Sequence, residues 1–311
     1  AVTLTQTGSY FANVGEMTIA ADGTITTKLI PTHEGMDATI AAMQTGWVNT
    51  VDDMLGEKIA VGDSDFYVSD PATGKRRIRS AETNLGDFVA DGIYTYFNEV
   101  EKLHCDVAIM NGGGIRADVP AGDWTFKTCK QVSPFGNVAC LMSVTGKQIQ
   151  DALEFAARFA GEGGKENGGF LQVAGATYEI HTDIPNTVQT DEKNVWIGSA
   201  TGTPRVQNMK IYDKASGSYL PLDPGATYAL AGMNYTLRNL GDGFAMFDGA
   251  ELIKDYVSED YLVMATYAMT FDGADAAGLP HLSSANSPLA AYPGYLLNYE
   301  QPYGAGRITI L

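Results

Sequence analysis

The run Asn111-Gly112-Gly113-Gly114-Ile115-Arg116 sets an amide and a guanidinium at the two ends of a triple-glycine turn. Glycines let a backbone turn tightly and approach a ligand closely. With polar donors at both ends, such a turn suits a phosphorylated or sugar-bearing small molecule. Residues of matching chemistry lie elsewhere in the chain. Arg79 precedes Asn84-Leu85-Gly86 at the expected start of a helix, whose free N–H groups favour anions; a solvated basic turn is the other reading. Ser133-Pro134-Phe135-Gly136-Asn137 carries an aromatic outside any amphipathic pattern, open to reading as a core plug or as a stacking platform. Asn234-Tyr235 and Asn239-Leu240-Gly241-Asp242-Gly243-Phe244 place a second aromatic seven residues before an acidic turn. An ordinary turn at Asp242-Gly243 accounts for that dipeptide equally well.

Other chemistries find little support. His33, His104, His181 and His281 are isolated from one another. Glu179, His181 and Asp183 alternate on an expected strand and read as a polar face rather than a metal site. There is no Asp-x-His, His-x-His, Gly-x-Ser-x-Gly elbow or P-loop. The sequence therefore offers neither catalytic residues nor metal ligands.

Composition narrows the class. At 311 residues, 45% apolar and 18% charged, the chain is globular and long enough for a large core. Twenty basic and 37 acidic residues give a net charge of −17, which disfavours nucleic acid and anionic membrane as partners. A phosphate site in such a chain needs local positive charge, and Lys75, Arg76, Arg77 and Arg79 supply it. Cys105, Cys129 and Cys140 are too few and too scattered for a disulfide framework and read as buried thiols. No uncharged apolar run is long enough for a membrane span, and Ala1 does not open a signal peptide; a mature protein or a cut-out fragment is expected.

The elements that would position these residues are mixed. Residues 1–30 read as short strands with a hairpin turn at Asp22-Gly23. Met36, Ile40, Met43, Trp47, Val51 and Met54 recur at helical spacing from Glu34 to Leu55, before Gly56. A second helix is expected from Thr83 to Val100, then a strand over 105–110. A strand from Val138 to Val144 leads into the capping pattern Thr145-Gly146-Lys147-Gln148 and a helix through Phe159. Residues 161–169 read as a flexible glycine-rich loop, followed by a strand over 170–181. Further strands are expected near 205–212, 226–233 and 307–311, with a helix at 258–270 begun by Ser258. Helices and strands mix without strict alternation, which is an α+β (mixed α/β) pattern.

Taken in order, Arg79…Asn84-Leu85-Gly86, Asn111 to Arg116, Pro134-Phe135-Gly136-Asn137, Gly169-Phe170-Leu171-Gln172 and Gly241-Asp242-Gly243-Phe244 resemble the C-terminal domain of the 5′-nucleotidase / UDP-sugar hydrolase family. The resemblance covers roughly residues 60–311. It implies strands 1–33 left from an N-terminal metallophosphoesterase domain, a connector helix over 34–57 and a substrate-binding domain over 58–311. In that family the N-terminal domain holds two divalent metal ions and the catalytic His–Asp pair. The C-terminal domain binds the nucleoside and carries it to the metals. By motif, Phe135 and Tyr235 would sandwich the base and Asp242 would accept the ribose hydroxyls. Arg79 and Arg116 would contact the ribose and phosphate side, and Asn111 and Asn137 the base or ribose. Two positions depart from the family pattern: Tyr235 is one residue further from Asp242 than the equivalent aromatic in some members, and Leu240 replaces a frequent glycine. The resemblance implies a nucleoside or nucleotide ligand, no cofactor or metal in this chain, and an extracellular, cell-surface or periplasmic parent hydrolase. The chain alone would be inactive. UDP-sugars, cyclic nucleotides or NAD are alternative substrates; a non-enzymatic surface module or a β-rich carbohydrate-binding module are alternative classes.

Overall fold

The computed structural model describes residues 2–8, 11–32, 35, 37–161, 163 and 165–311. The chain forms two compact units, 1–54 and 55–311. In the first, β1 (Asn13–Ile19) and β2 (Ile25–Pro31) pair antiparallel about the turn that Asp22-Gly23 signals, and α1 (Ala38–Leu55) follows. Asp37 caps that helix, its Oδ1 accepting the N–H groups of Thr39 and Ile40. The expected start at Glu34 and the first apolar residue, Met36, lie outside the described residues. The helix expected from the apolar spacing is present, and its residues Ile40, Met43, Trp47, Val51 and Met54 are exposed. A hairpin and one helix have too little surface to make a core of their own.

The second unit is a mixed α/β fold. Its elements run β3 (Lys58–Gly62), α2 (Asn84–Thr95), β4 (Val107–Asn111), β5 (Gly122–Thr125), α3 (Phe126–Val132), β6 (Ala139–Thr145) and α4 (Gly146–Ala156). Then come β7 (Leu171–Ala174), β8 (Ala176–Ile180), β9 (Gln189–Thr190), β10 (Trp196–Gly198), β11 (Val206–Asp213) and β12 (Ser218–Pro221). The unit closes with β13 (Thr227–Met233), α5 (Asn234–Leu237), β14 (Glu251–Lys254), α6 (Asp260–Ala268), β15 (His281–Leu282) and β16 (Ile308–Ile310).

The central sheet has the order β14-β6-β13-β4-β7, with β13 and β4 parallel and the other neighbours antiparallel. Both faces are covered. In β4, Ala108 and Met110 join the core containing Leu85 and Phe88 of α2 and Val263 and Met264 of α6; Val107 and Ile109 join the core with Ile149 and Leu153 of α4. That two-sided burial is why 107–110 is continuously apolar instead of alternating. A second sheet, β12-β11-β8-β16, a third, β15-β3-β5, and a two-stranded antiparallel pair, β10-β9, complete the described architecture. The strand expected over 170–181 breaks at Gly175, where φ is +70° and a Cβ would lie 2.4 Å from the Asp106 carbonyl. The break lets β7 enter the central sheet while β8 enters the second.

One helix start differs from expectation, and a second keeps its place but not its expected role. α6 begins at Asp260 after Glu259, with no capping side chain, so Ser258 is not its cap. The helix at 84 starts as expected, but its first turn is sealed: the Thr83 hydroxyl accepts the Gly86 N–H, and Asn84 is fully buried. The Asn84 amide donates to the carbonyls of Asp65 and Tyr299. Its N–H groups are thus not offered to an anion. From Tyr96 to Val100 the helix widens into a π-turn. Cys105, Cys129 and Cys140 are buried and unpaired, and burial pushes the thiols of Cys129 and Cys140 up to about 12. No described helix is long and apolar enough to cross a membrane.

Candidate functional site

Strand direction brings the site together. β4 and β13 are parallel neighbours, so their C-terminal ends, Asn111 and Met233, open on one edge of the sheet. β6 and β7 run antiparallel to them and therefore start at that same edge. The connections before β6 and β7 and after β4 and β13 converge there, at the carboxyl ends of the two parallel strands.

A cavity of about 490 Å³ lies at this edge, lined by Arg79, Asn111, Gly113, Gly114, Phe135, Asn137, Gly168, Tyr235 and Asp242. Six of the seven residues singled out from the sequence line it. The seventh, Arg116, is exposed and sits beside it: Nη1 donates to the Gly113 carbonyl at 3.4 Å, and the guanidinium lies 5.7 Å from the Phe135 ring centroid. That placement is a cation–π contact.

The glycine turn works differently from what its composition suggests. None of Gly112, Gly113 and Gly114 has positive φ. They are small because the chain crowds itself: a Cβ on Gly112 would lie 2.3 Å from the Ile78 carbonyl oxygen, one on Gly113 3.0 Å from that of Gly168, and one on Gly114 2.5 Å from Met110 Cε. The turn is thereby clamped to the 77–81 segment that carries Arg79. Gln172, fully buried in β7, fixes the same segment by donating to the carbonyls of Ile78 and Ala81. In the sequence it belongs to the run Gly169-Phe170-Leu171-Gln172 that carries the family resemblance, with no role assigned to it beyond the start of a strand.

Tyr235 and Asp242 are tied together. The tyrosine hydroxyl donates to Asp242 Oδ1 at 2.9 Å, and Asn111 Nδ2 donates to Oδ2 at 3.2 Å. Burial and the bond to Asp242 raise the Tyr235 pKa, so the phenol is neutral and remains a donor at physiological pH. Asp242 and Leu240 both sit in the left-handed region at φ 55°. Such strain at non-glycine residues costs on the order of 1–3 kcal/mol each and gathers at ligand sites. The frequent family glycine at position 240 would avoid it.

Phe135 is 60% exposed, which rules out the core-plug reading. Its loop is held from behind. Asn137 N–H donates to Asp260 Oδ2, Asp260 N–H to the Asn137 carbonyl, and Val138 N–H to the Asn234 side chain. Burial raises the Asp260 pKa, partly offset by its bonds to the backbone N–H groups of Tyr261 and Asn137. Nothing in the sequence marked Asp260, which acts here only through the fold. Arg79, one-fifth exposed, has its pKa lowered by burial and then by Arg76 and Arg116. Its Nε is buried with no hydrogen-bond partner among the described residues. The site thus joins two aromatic faces, a carboxylate and a guanidinium in one cavity.

Residues 58–249 match the family described as 5′-nucleotidase, C-terminal domain. The chain belongs to that family. Among curated members, it is 33% identical over 216 residues to the trifunctional nucleotide phosphoesterase protein YfkN of Bacillus subtilis, covering 68% of this chain and 13% of that one. It is 26% identical over 194 residues to protein UshA of Escherichia coli, covering 59% and 28%. Of solved structures, the 5′-nucleotidase precursor from Thermus thermophilus shares 25% identity at a TM-score of 0.65, covering 96% of this chain and 50% of that one. The NAD nucleotidase of Haemophilus influenzae shares the fold, at 15% identity and a TM-score of 0.55. The chain therefore spans a minor part of these curated family members and half of the family structure from Thermus.

Proposed function

We propose that residues 58–311 are the substrate-recognition domain of a hydrolase that converts nucleoside phosphates to nucleoside and phosphate. Residues 1–33 would be strands of an N-terminal metallophosphoesterase domain, and 34–57 the connecting helix. The observation that carries this reading is the shared cavity of Phe135, Tyr235, Asp242 and Arg79. Two rings suit stacking on a base, worth about 1–3 kcal/mol each. A carboxylate suits the ribose diol, and a guanidinium suits phosphate oxygens. Arg116, Asn111 and Asn137 complete the ligand contacts.

Among the described residues, no three His, Cys, Asp or Glu side chains are grouped to hold a metal ion. The two divalent ions that the family resemblance implies would be held by the N-terminal domain. The chemical step would belong to the N-terminal domain, in a parent protein placed outside the cytoplasm. Uncatalysed phosphate-ester hydrolysis is slow enough for enzymes to accelerate it by up to ~10²¹-fold. The isolated chain should accordingly release no phosphate from AMP above background in a phosphate-release assay, while the full-length parent does. A panel of UDP-sugar, cyclic nucleotide and NAD on that parent separates the substrate classes.

Calorimetry tests the recognition role. Adenosine should bind the 311-residue chain, and Phe135→Ala should weaken binding about fivefold or more. An unmutated chain that takes up neither adenosine nor AMP would sink the proposal.

A further inference from the structure

Glu166 lies just outside the residues that line the cavity. Its Oε2 is 3.2 Å from Arg76 Nη1 and 3.7 Å from Arg79 Nη1, so one carboxylate oxygen is shared between two guanidiniums. The acid is held near them by the backbone, since the Asn167 N–H donates to the Arg79 carbonyl at 3.0 Å. Arg79 also feels the repulsion of Arg76 and Arg116, and Glu166 and Asp242 are the acids that oppose it. Asp242 is already engaged by Tyr235 and Asn111. Among the described residues, Glu166 is therefore the side chain that answers the positive charge on the Arg76–Arg79 side of the cavity.

We infer that Glu166 is a resident counter-anion: in the free chain it occupies the guanidiniums that a ligand phosphate takes, and so sets how far the pocket prefers nucleotides over nucleosides. This rests on the reading of the cavity as a nucleotide site. The contact is built for exchange. Glu166 and Arg76 are 39% and 45% exposed, and among the described residues no second carboxylate oxygen lies within salt-bridge distance of Arg79. Ion pairs of that exposure are weak. A phosphate monoester brings more negative charge and three oxygens to the same guanidiniums, so it displaces a single carboxylate. A nucleoside has no group that requires the displacement.

The test compares AMP and adenosine by calorimetry at low salt on the unmutated chain, Glu166→Gln, and Glu251→Gln as a control for loss of one charge on the β14 edge strand. Glu166→Gln should tighten AMP binding about two- to fivefold and leave adenosine within error. The gain should shrink as salt is raised, because exposed charges are screened over ~10 Å at 0.1 M. Adenosine binding doubles as the check that the variant is folded. If AMP affinity is unchanged or falls while adenosine binding holds, or if Glu251→Gln gives the same gain, the counter-anion role is wrong and the pocket reading survives. If neither ligand binds the unmutated chain, both fall together.

Discussion

Tyr235 is braced on two sides. Its hydroxyl is tied to Asp242, and one ring face rests on Gly241, where an added Cβ would come within 2.5 Å of Tyr235 Cζ. The ring also lines the cavity, and a side chain already fixed there loses little rotamer freedom on stacking. Tyr235→Phe keeps the ring and loses only the tether, so nucleoside affinity should drop less than for Tyr235→Ala. Gly241→Ala should displace the ring and weaken binding about as much as Tyr235→Ala does. Calorimetry on the three variants ranks them, and a harmless Gly241→Ala would show that the ring is not held this way. The residues around this ring were legible in the chain because aromatic, acidic and glycine positions kept a recognisable order. The tether itself was not, since no local spacing reports that Asn111 reaches an aspartate 131 residues away.

Elements with local signals read well. The hairpin at Asp22-Gly23 formed, and so did the helix after Thr145, where Thr145 and Gln148 make a reciprocal capping box. Thr145→Ala should cost about 1 kcal/mol in urea denaturation; no change would mean that the cap is redundant. Elements whose role depends on distant neighbours read poorly. Gly175 looked like the interior of one strand but divides two sheets. Asn84 looked like part of an anion-binding helix start and proved to be a buried clip for two carbonyls. The glycines at 112–114 signalled a ligand turn, and Gly113 and Gly114 do line the cavity; what the sequence did not signal is that the three also make room for the backbone at Ile78 and Gly168 and the Met110 side chain. Gly112→Ala should therefore push away the segment carrying Arg79, lowering both thermal stability and AMP affinity. A variant that keeps both would show that the clamp is slack.

At the scale of the whole second unit, a buried charge network joins residues far apart in the chain. Arg307 is fully buried; its Nη2 donates to Asp91 Oδ2 at 2.7 Å and its Nη1 lies 3.8 Å from Asp87 Oδ1. Tyr295 and Tyr299 donate to the two oxygens of Asp91, and Glu82 accepts the N–H groups of Gly306, Arg307 and Ile308. Burial, then the Glu82 charge, holds the Asp87 pKa well above its ordinary 3.8, and the distant Arg307 offsets this only in part. The folded chain thus keeps a proton that the unfolded chain releases. The stability this gives is present in acid and is lost as pH rises from about 4 through the raised folded value. Asp87→Asn carries no such titration, so its stability relative to the unmutated chain should improve as pH climbs over that window in urea melts. A loss near 3–5 kcal/mol at pH 7 would instead mark Asp87 as an ionised partner of Arg307.

The same network imposes an order of events on biosynthesis. Asp91 leaves the ribosome more than two hundred residues before its cation, and closing so long a loop is slow. Until Arg307 emerges, α2 carries the Asp91 carboxylate, which cannot be dehydrated cheaply, and it cannot settle permanently against the central sheet. A released chain truncated after Ala305 should stay open to protease across 82–91, and the chain through Leu311 should be protected there.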